Sequence, residues 1–281
     1  MQPIGLKFYR RENRLMYLVF DPKTREAMAI DAHPELIDDF RGYIADHSLK
    51  LKWVFETQAW DESASAILGG QYGAKASDAL TLGSFSFEAQ PAPGLVPGAK
   101  VLVGAGLLFS GQAILPGSQV PLIVRDDAQL RAFREKLLAV LPPQTIVYPS
   151  VDRLEILCTT VGLERSSRSD SGAGVSGISV EKYAAKVSNP QADTAYVDVR
   201  DPDEFDEGHA AGTRNIPLSE IGFHLEELLR YRHVYVNCGG GKRGQLAAKT
   251  LAYWGALDVV HVSGGFQAWF KAGLPVKKGD R

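Results

Sequence analysis

The sequence predicts an α/β protein of two domains, and three patterns support that prediction. In the C-terminal part, short apolar runs at 195–199, 233–237 and 259–262 alternate with helical periodicity, which is typical of a buried parallel sheet covered by helices. In the N-terminal part, many short apolar or alternating runs accompany two amphipathic segments. Between the two parts lies 165–177, a small, polar and glycine-rich segment, which predicts a flexible linker.

The N-terminal domain is predicted to span 1–164. Its strands are expected at 14–20, 26–31, 51–56, 85–89, 100–104 and 121–125, and its helices at 34–46 and 127–140. Pro34 followed by Glu35 favours a helix start, because proline suits the first helical position and an acid suits the first turn. These patterns alone indicate an α/β or α+β domain.

The C-terminal domain is predicted to span 178–281. Its helices are expected at 180–187, 218–230 and 244–254, and Ser179 is a suitable N-cap for the first of them. A chain of 281 residues, of which 45% are hydrophobic, is long enough to form a packed core in each domain.

The most informative segment is the loop that follows the apolar run 233–237. The run leads to Cys238, and an alanine-rich helical pattern begins soon after it. The loop residues are Gly239, Gly240, Gly241, Lys242 and Arg243. A strand that leads through a glycine loop into a helix directs backbone N–H groups and the positive end of the helix dipole at one point. A thiolate at that point is stabilised, so the sequence predicts Cys238 as a nucleophile and the five loop residues as its substrate-binding site.

Three other interpretations fit Cys238 and its loop less well. A buried structural cysteine would not need glycines that uncover the sulfur, or two neighbouring cations. A cysteine phosphatase loop has five residues between its cysteine and its arginine, whereas four residues separate Cys238 from Arg243. The loop also lacks the Gly-x-x-x-x-Gly-Lys-Ser/Thr pattern of a nucleotide-binding loop.

The segment around this loop resembles a rhodanese domain over 178–276. The similar motifs are Asp198-Val199-Arg200, Gly208-His209-Ala210-Ala211-Gly212, Asn215-Ile216-Pro217, Gly264-Gly265-Phe266 and Gly273-Leu274-Pro275. The resemblance implies a sulfurtransferase whose active-site cysteine is Cys238. Gly244 departs from it, because many members of the family have Ser or Thr at that position. Asp198 and Arg200 are expected to brace the loop as a buried ion pair, since buried charges need partners.

The N-terminal domain resembles a metallo-β-lactamase-fold domain of the glyoxalase II and persulfide dioxygenase kind, which implies an αββα arrangement. The similarity rests on Asp21–Ala27 with Ile30-Asp31, Glu56–Ile67, Ala92–Gly98 and Val147–Asp152. The family's histidine positions hold Gln58, Trp60, Ser63, Leu95 and Val151, its bridging aspartate aligns with Ala105, and Glu62 alone offers a carboxylate. A first-row metal needs three or more converging imidazole, thiolate or carboxylate ligands, so this lobe is predicted to lack a metal site.

Composition excludes several other classes of function. The formal net charge of −2 and the pI near 6.3 argue against nucleic-acid binding. No apolar stretch approaches the length of a membrane span, and the N-terminus lacks the layout of a signal peptide. Two cysteines do not form a disulfide framework in a chain of this length, so a reducing cytoplasm is expected. Cys158 is more consistent with a packing role than with a resolving thiol.

The expected function is sulfur transfer without a cofactor. Sulfane sulfur from thiosulfate or a persulfide would pass through a Cys238 persulfide to a thiol, sulfite or cyanide. The expected partners are therefore small sulfur donors and thiol acceptors, and a homodimer through the first lobe remains open. One alternative is a non-catalytic sulfur-sensing or adaptor protein whose first lobe binds a partner. The other is a metal-dependent dioxygenase or thioester hydrolase that uses residual ligands.

The first prediction concerns metal content. Because the six ligand positions hold no imidazole or carboxylate, the purified chain is expected to contain no stoichiometric iron or zinc, and chelators should leave its melting temperature unchanged. Elemental analysis and thermal unfolding with and without a chelator measure both. About one metal ion per chain, bound by the first lobe, would contradict the alignment.

Overall fold

The computed structural model describes residues 4–60, 63–119, 121–166 and 175–279. The contacts divide the chain into two units. The first comprises Met1–Leu154 and Cys158–Ser169, and the second comprises Glu155–Leu157 and Asp170–Arg281. Most of the predicted linker, 167–174, lies outside the described residues.

The first sheet of the first unit has four strands in the order β1-β2-β3-β4. They are β1 (Gly5–Arg11), β2 (Arg14–Phe20), β3 (Glu26–Ile30) and β4 (Lys50–Phe55). A 3-10 turn (Pro34–Leu36) and α1 (Ile37–Asp46) connect β3 to β4, which pair in parallel, while the other neighbours are antiparallel. Phe40 of α1 and Leu68 of α2 (Ser65–Tyr72) pack in one buried cluster with Met16 and Leu18 of β2, so helices cover this sheet.

The second sheet of this unit has six strands in the order β10-β9-β8-β7-β6-β5. They are β5 (Ala79–Leu82), β6 (Phe85–Pro91), β7 (Lys100–Gly104), β8 (Leu107–Gly111), β9 (Ile146–Pro149) and β10 (Thr159–Thr160). Two helices, α3 (Asp127–Val140) and α4 (Val161–Arg165), contribute Leu130 and Val161 to the cluster on this sheet. The Asp126 side chain accepts the N–H of Gln129 and so caps α3 at the predicted start.

Three aromatic side chains join the two sheets. The ring of Tyr17 on β2 lies 5.3 Å from that of Phe109 on β8 and 5.5 Å from that of Tyr148 on β9. The Tyr17 hydroxyl donates to the carbonyl of Pro149 at 2.6 Å, which satisfies the polar end of a fully buried ring. The two sheets therefore face each other, with helices outside them, in the αββα arrangement that the sequence predicts.

The second unit is built on a five-stranded sheet in the order β11-β16-β15-β12-β14, with all neighbours parallel. The strands are β11 (Ser176–Ile178), β12 (Thr194–Asp198), β14 (Arg214–Asn215), β15 (His233–Asn237) and β16 (Asp258–Val262), and β13 (His209–Ala210) pairs separately with β17 (Val276–Lys277). The helices are α5 (Val180–Val187), α6 (Pro202–Glu207), α7 (Leu225–Leu228), α8 (Lys242–Trp254) and α9 (Gly265–Lys271).

Helices cover both faces of this parallel sheet, which explains why its strands have apolar runs rather than alternation. Tyr183 of α5 and Trp269 of α9 pack with Tyr196 and Tyr235 of the sheet in one cluster. On α8, the buried residues include Leu246, Ala247 and Leu251, and this helix packs against β15 and β16.

The second unit also includes the short segment Glu155–Leu157, which precedes the rest of it in the chain. The Leu157 N–H donates to the Thr250 hydroxyl at 3.1 Å, and that hydroxyl donates to the carbonyl of Leu246 at 3.0 Å. Lys249 forms an ion pair with Glu155. These contacts attach the segment to α8. The proposed boundaries 1–164 and 178–281 stay a prediction.

Two sequence-based elements are wrong. The run 121–125 is not a strand: Leu122 and Ile123 are exposed, and the N–H groups of Arg125 and Asp126 both donate to Gly94. The predicted helix 218–230 is a 3-10 segment (Leu218–His224) followed by α7 alone. Among the described helices, none is long and apolar enough to cross a bilayer.

Candidate active site

Cys238 lies at the carboxyl end of β15, where the chain turns within three residues into α8. Its Sγ accepts a hydrogen bond from the N–H of Gly241 at 3.1 Å, and its side chain is almost fully buried. Gly241 has φ of 100°, a conformation that L side chains rarely adopt. The glycine therefore allows the tight turn that directs a backbone N–H at the sulfur.

The first turn of α9 holds the other side of this loop. The N–H groups of Phe266 and Gln267 donate to the carbonyls of Cys238 and Gly239, at 2.6 and 2.9 Å. Gly265 has φ of 59°, and a Cβ there would overlap the Cys238 carbonyl oxygen. The motif Gly264-Gly265-Phe266 contains this glycine, but the motif alone does not indicate the contact, because Cys238 is 27 residues earlier in the chain.

Asp198 and Arg200 form a buried ion pair beside the loop. Arg200 Nη2 lies 2.9 Å from Asp198 Oδ2, and the same nitrogen donates to the carbonyl of Gly208. Asn237, the residue before Cys238, donates to Asp198 Oδ2 at 3.3 Å, and the Arg200 guanidinium lies 4.3 Å from the Phe266 ring centre. The pair thus connects the ends of β12 and β15 with α9, and it does not contact the sulfur in any of these interactions.

The two cations of the loop have different surroundings. Arg243 donates from Nη1 and Nη2 to the two carboxylate oxygens of Glu204, at 2.6 and 2.7 Å. These hydrogen bonds raise the pKa of Arg243 above its ordinary value, against its partial burial. Lys242 is exposed and, within the described part of the chain, has no hydrogen-bond or ion-pair partner. The loop sequence predicts both cations as substrate-binding, but it does not indicate the partner Glu204, which is 39 positions away from Arg243.

Gly244 has no side chain, so it offers no hydroxyl group to the sulfur of Cys238. A Cβ built at this position would lie 3.6 Å from the Cys238 Sγ and 3.2 Å from the carbonyl oxygen of Val236. A side chain there would therefore contact both the sulfur and β15. Among the described residues, the N–H of Gly241 donates a hydrogen bond to the Sγ.

The polar side chains at the metal-ligand positions of the first unit form hydrogen bonds with neighbouring side chains. Gln58 Oε1 accepts from Gln112 Nε2 at 3.0 Å, and the Trp60 indole N–H donates to Asp31 at 2.9 Å. Ser63 donates its hydroxyl to Glu56. Amide, indole and hydroxyl groups do not form the imidazole and carboxylate shell that zinc or iron prefers, so these residues do not fit such a metal. Glu62 lies outside the described residues.

Ala105 was misplaced by the sequence alignment. Ala105 lies in the turn between β7 and β8. The opposite end of β7 is the end near Gln58, since Lys100 there donates its N–H to the carbonyl of Thr57. Gln112, which directly follows β8, is the residue that reaches Gln58. The remaining positions are apolar: Leu95 and Val151 are buried in the unit.

Asp31 is a buried carboxylate among these former ligand positions. It accepts hydrogen bonds from the N–H and hydroxyl of Thr57, at 2.7 and 2.8 Å, in addition to the Trp60 indole. Burial raises the pKa of Asp31 to about 6, although the hydrogen bonds from Trp60 and Thr57 act in the opposite direction. The Arg14 guanidinium lies over the Trp60 ring, 4.1 Å from its centre.

Neither metal-binding clusters nor a second reactive thiol are found among the described residues. No group of three His, Cys, Asp or Glu side chains in that part of the chain could hold a metal ion. Cys158 is a fully buried thiol, and burial raises its pKa, which disfavours the thiolate.

Sequence comparisons with known proteins identify relatives of the second unit. The family model of the rhodanese-like domain matches residues 179–272. An uncharacterized protein of Bacillus subtilis, YqhL, is 40% identical over 73 residues, 26% of this chain and 58% of that protein. The thiosulfate sulfurtransferase GlpE of Vibrio cholerae is 32% identical over 98 residues, 35% of this chain and 92% of that protein. The chain spans 58% and 54% of the length of the first two curated relatives that it matches.

Solved structures give the fold of the first unit. ETHE1 from Myxococcus xanthus is 25% identical with a TM-score of 0.54, over 62% of this chain and 85% of that one. A metallo-beta-lactamase from Staphylococcus aureus is 17% identical with a TM-score of 0.51, over 93% of this chain and 99% of that one. The first unit therefore has the metallo-β-lactamase-like fold that its motifs indicate.

The second prediction concerns Asp31. Its pKa is about 6 in the folded chain against an ordinary 3.8, so the folded state holds this proton to higher pH. The contribution to stability is full below pH ~4 and is lost as the pH rises through ~6, about 3 kcal/mol in total. In Asp31→Asn the side-chain carbonyl still accepts the Thr57 N–H and the Trp60 indole N–H, and the amide NH2 donates to the Thr57 hydroxyl, so the variant should remove this part of the pH dependence.

Urea unfolding between pH 4 and 7, with mass-spectrometric hydrogen exchange of first-unit peptides, measures the effect. Asp46→Asn, the same charge change at an exposed position of α1, is the matched control. If Asp31→Asn and wild type lose stability in parallel between pH 4 and 7, the buried carboxylate does not titrate in this range.

Proposed function

The chain belongs to the rhodanese family, and on that premise we propose that it is a sulfurtransferase in which Cys238 carries the transferred sulfur as a persulfide. The observation that supports this most directly is the position of the Cys238 Sγ, which accepts the Gly241 N–H immediately before the first residue of α8. Backbone N–H groups at a helix start stabilise negative charge on a sulfur. The Vibrio cholerae relative named as a thiosulfate sulfurtransferase, of which the chain covers 92%, supports the same reaction class.

In the first step, the Cys238 thiolate attacks the outer sulfur of thiosulfate or of a persulfide. A new S–S bond forms to Cys238, the S–S bond of the donor breaks, and sulfite or a thiolate leaves with the electron pair. The outer sulfur then extends from Cys238 into the loop. The N–H of Gly241 already faces the Sγ, and the N–H groups of Gly239 and Gly240 are proposed to face the bound sulfur.

In the second step, a thiol, sulfite or cyanide attacks the outer sulfur and regenerates the Cys238 thiolate. The reaction is divided between a donor half and an acceptor half, so ping-pong kinetics are expected. Lys242 is the exposed cation beside the loop and is proposed to attract anionic substrates. Asp198 and Arg200 are proposed to brace the loop through Asn237 and Phe266.

The first unit takes no part in these steps, and no metal or cofactor is invoked. A homodimer through this unit, a set of partners limited to small sulfur donors and thiol acceptors, and the absence of nucleic-acid and membrane partners stay predictions. So does a cytoplasmic location, with which the two thiols Cys158 and Cys238 are consistent.

The third prediction concerns the persulfide. Wild type incubated with thiosulfate or a hydropersulfide should gain one sulfur, about 32 Da, on Cys238, and Cys238→Ser should gain none and lose all transfer activity. Cys158→Ala is the matched control and should load normally, because Cys158 is buried and its thiolate is disfavoured. Peptide mapping locates the added mass. Sulfur on Cys158, or failure of every donor to load a folded wild-type chain, would contradict the proposed reaction.

The fourth prediction concerns the first unit. A fragment of residues 175–281 should fold and retain transfer activity, because the sheet, the loop and both ion pairs of the site lie within it. Its stability should be lower than that of a fragment starting at residue 153, which keeps the Leu157–Thr250 hydrogen bond. A folded but inert fragment beside an active full chain would show that the first unit contributes to the reaction.

A further inference from the structure

The charge of Arg243 is balanced within the protein before any substrate binds. Both terminal nitrogens of its guanidinium donate to Glu204, and Asp201 Oδ2 lies 3.8 Å from Nη1. A bidentate pair of this kind is stronger and more directional than a single surface contact. The guanidinium also lies against the loop, since a Cβ at Gly239 would be 3.0 Å from Arg243 Nη2.

Glu204 is itself fixed by the start of α6. Its Oε2 accepts the N–H of Asp201 at 3.2 Å in a capping box, and its carbonyl accepts Arg200 Nη1 at 2.9 Å. Burial opposes ionisation of this carboxyl, but the hydrogen bonds and charge of Arg243 hold the pKa of Glu204 below its ordinary value. Glu204 is therefore an anion held at a fixed place beside the loop.

The formal charges of these groups cancel. Lys242 and Arg243 supply two positive charges, and Asp201 and Glu204 supply two negative charges. Lys242 is the cation of the loop that, among the described residues, has no carboxylate partner. A bound anion thus meets one exposed lysine within a group of four charges whose sum is zero, and not two uncompensated cations.

We propose that Glu204 is a positioning residue that acts through Arg243: it holds the guanidinium against Gly239 and cancels its charge, so that the site favours organic hydropersulfide donors over the thiosulfate dianion. This inference rests on the proposed sulfurtransferase function. It assigns a specificity to the same site and a role to a residue outside the loop.

The two donors place different charges on the site. With a hydropersulfide, the Cys238 thiolate bonds to the outer sulfur of RS–SH, the RS–S bond breaks, RS⁻ leaves with the electron pair, and the proton stays on the Cys238 persulfide. With thiosulfate, the same attack brings a monoanion to a dianion and releases sulfite as a dianion. The second reaction needs more compensating positive charge than one exposed lysine supplies.

The test compares donors in the full chain with Glu204→Gln. Removing the carboxylate charge while keeping its shape should raise kcat/KM for thiosulfate about tenfold, and should change kcat/KM for the hydropersulfide of 2-mercaptoethanol by less than about threefold. Glu207→Gln is the matched control, because it makes the same change at an exposed position of α6. Equal losses with both donors would mean that Glu204 only supports the fold, and would overturn the proposal.

A second pair of variants separates charge from structure. Arg243→Gln leaves Glu204 unbalanced and should lower the thiosulfate-to-hydropersulfide ratio about tenfold. The double variant Glu204→Gln with Arg243→Gln is neutral again and should return the ratio to that of wild type. If the ratio in the double variant matches that of Arg243→Gln alone, the guanidinium acts by direct contact and the charge-balance proposal is wrong.

A chemical probe distinguishes failure of this inference from failure of the proposed function. The rates at which anionic iodoacetate and neutral iodoacetamide alkylate Cys238 do not depend on sulfur transfer. Glu204→Gln should raise their ratio several-fold, and Glu207→Gln should not. An unchanged ratio overturns the role of Glu204 even if transfer is active, whereas a raised ratio with no transfer from any donor refutes only the sulfurtransferase function.

Discussion

The hydrogen bonds from Phe266 and Gln267 to the carbonyls of Cys238 and Gly239 are the contacts on which the rest of the second unit's site depends. A chain that leaves a buried strand and starts a helix three residues later has carbonyls in the connecting turn that neither β15 nor α8 satisfies. The first turn of α9 supplies their partners, and only a glycine at position 265 lets it approach closely enough. These hydrogen bonds fix the path of the loop, and in that path the Gly241 N–H faces the sulfur.

Two arginine–carboxylate pairs surround this loop, and they have different consequences. The Asp198–Arg200 pair is buried, and the remaining donors of its guanidinium bind backbone carbonyls, so that it connects neighbouring segments without exposing charge. The Arg243–Glu204 pair is partly exposed and lies against Gly239, next to the reacting atom. A charge in the first pair affects the position of the loop, whereas a charge in the second is sensed by an incoming anion.

Sequence patterns identified what is local in the chain. Strand β15, helix α8 and Cys238 follow one another within twenty-two residues, and each has a strong periodic or compositional signal. Glu204 could not be assigned in this way, because nothing in a helical Asp-Glu-Phe segment indicates a partner 39 positions later. The position of Ala105 could not be predicted for a similar reason, because only the pairing of β7 with β8 shows that its turn lies at the strand end away from Gln58. The run 121–125 has the apolar composition of a strand, but Leu122 and Ile123 are exposed.

The core of the first unit does not need a metal ligand at any of its former ligand positions, and Leu95 is itself part of the buried cluster on the second sheet. The sheets meet through Tyr17, Phe109 and Tyr148, which are fully buried and hold no ligand position. At the ligand positions, polar groups are satisfied by one another: Asp31 by Thr57 and Trp60, and Gln58 by Gln112. A buried polar group without a partner costs on the order of 1–3 kcal/mol, and these hydrogen bonds avoid that cost. The cost that remains is the buried Asp31 carboxylate, whose raised pKa records that its three hydrogen bonds only partly offset its loss of solvent.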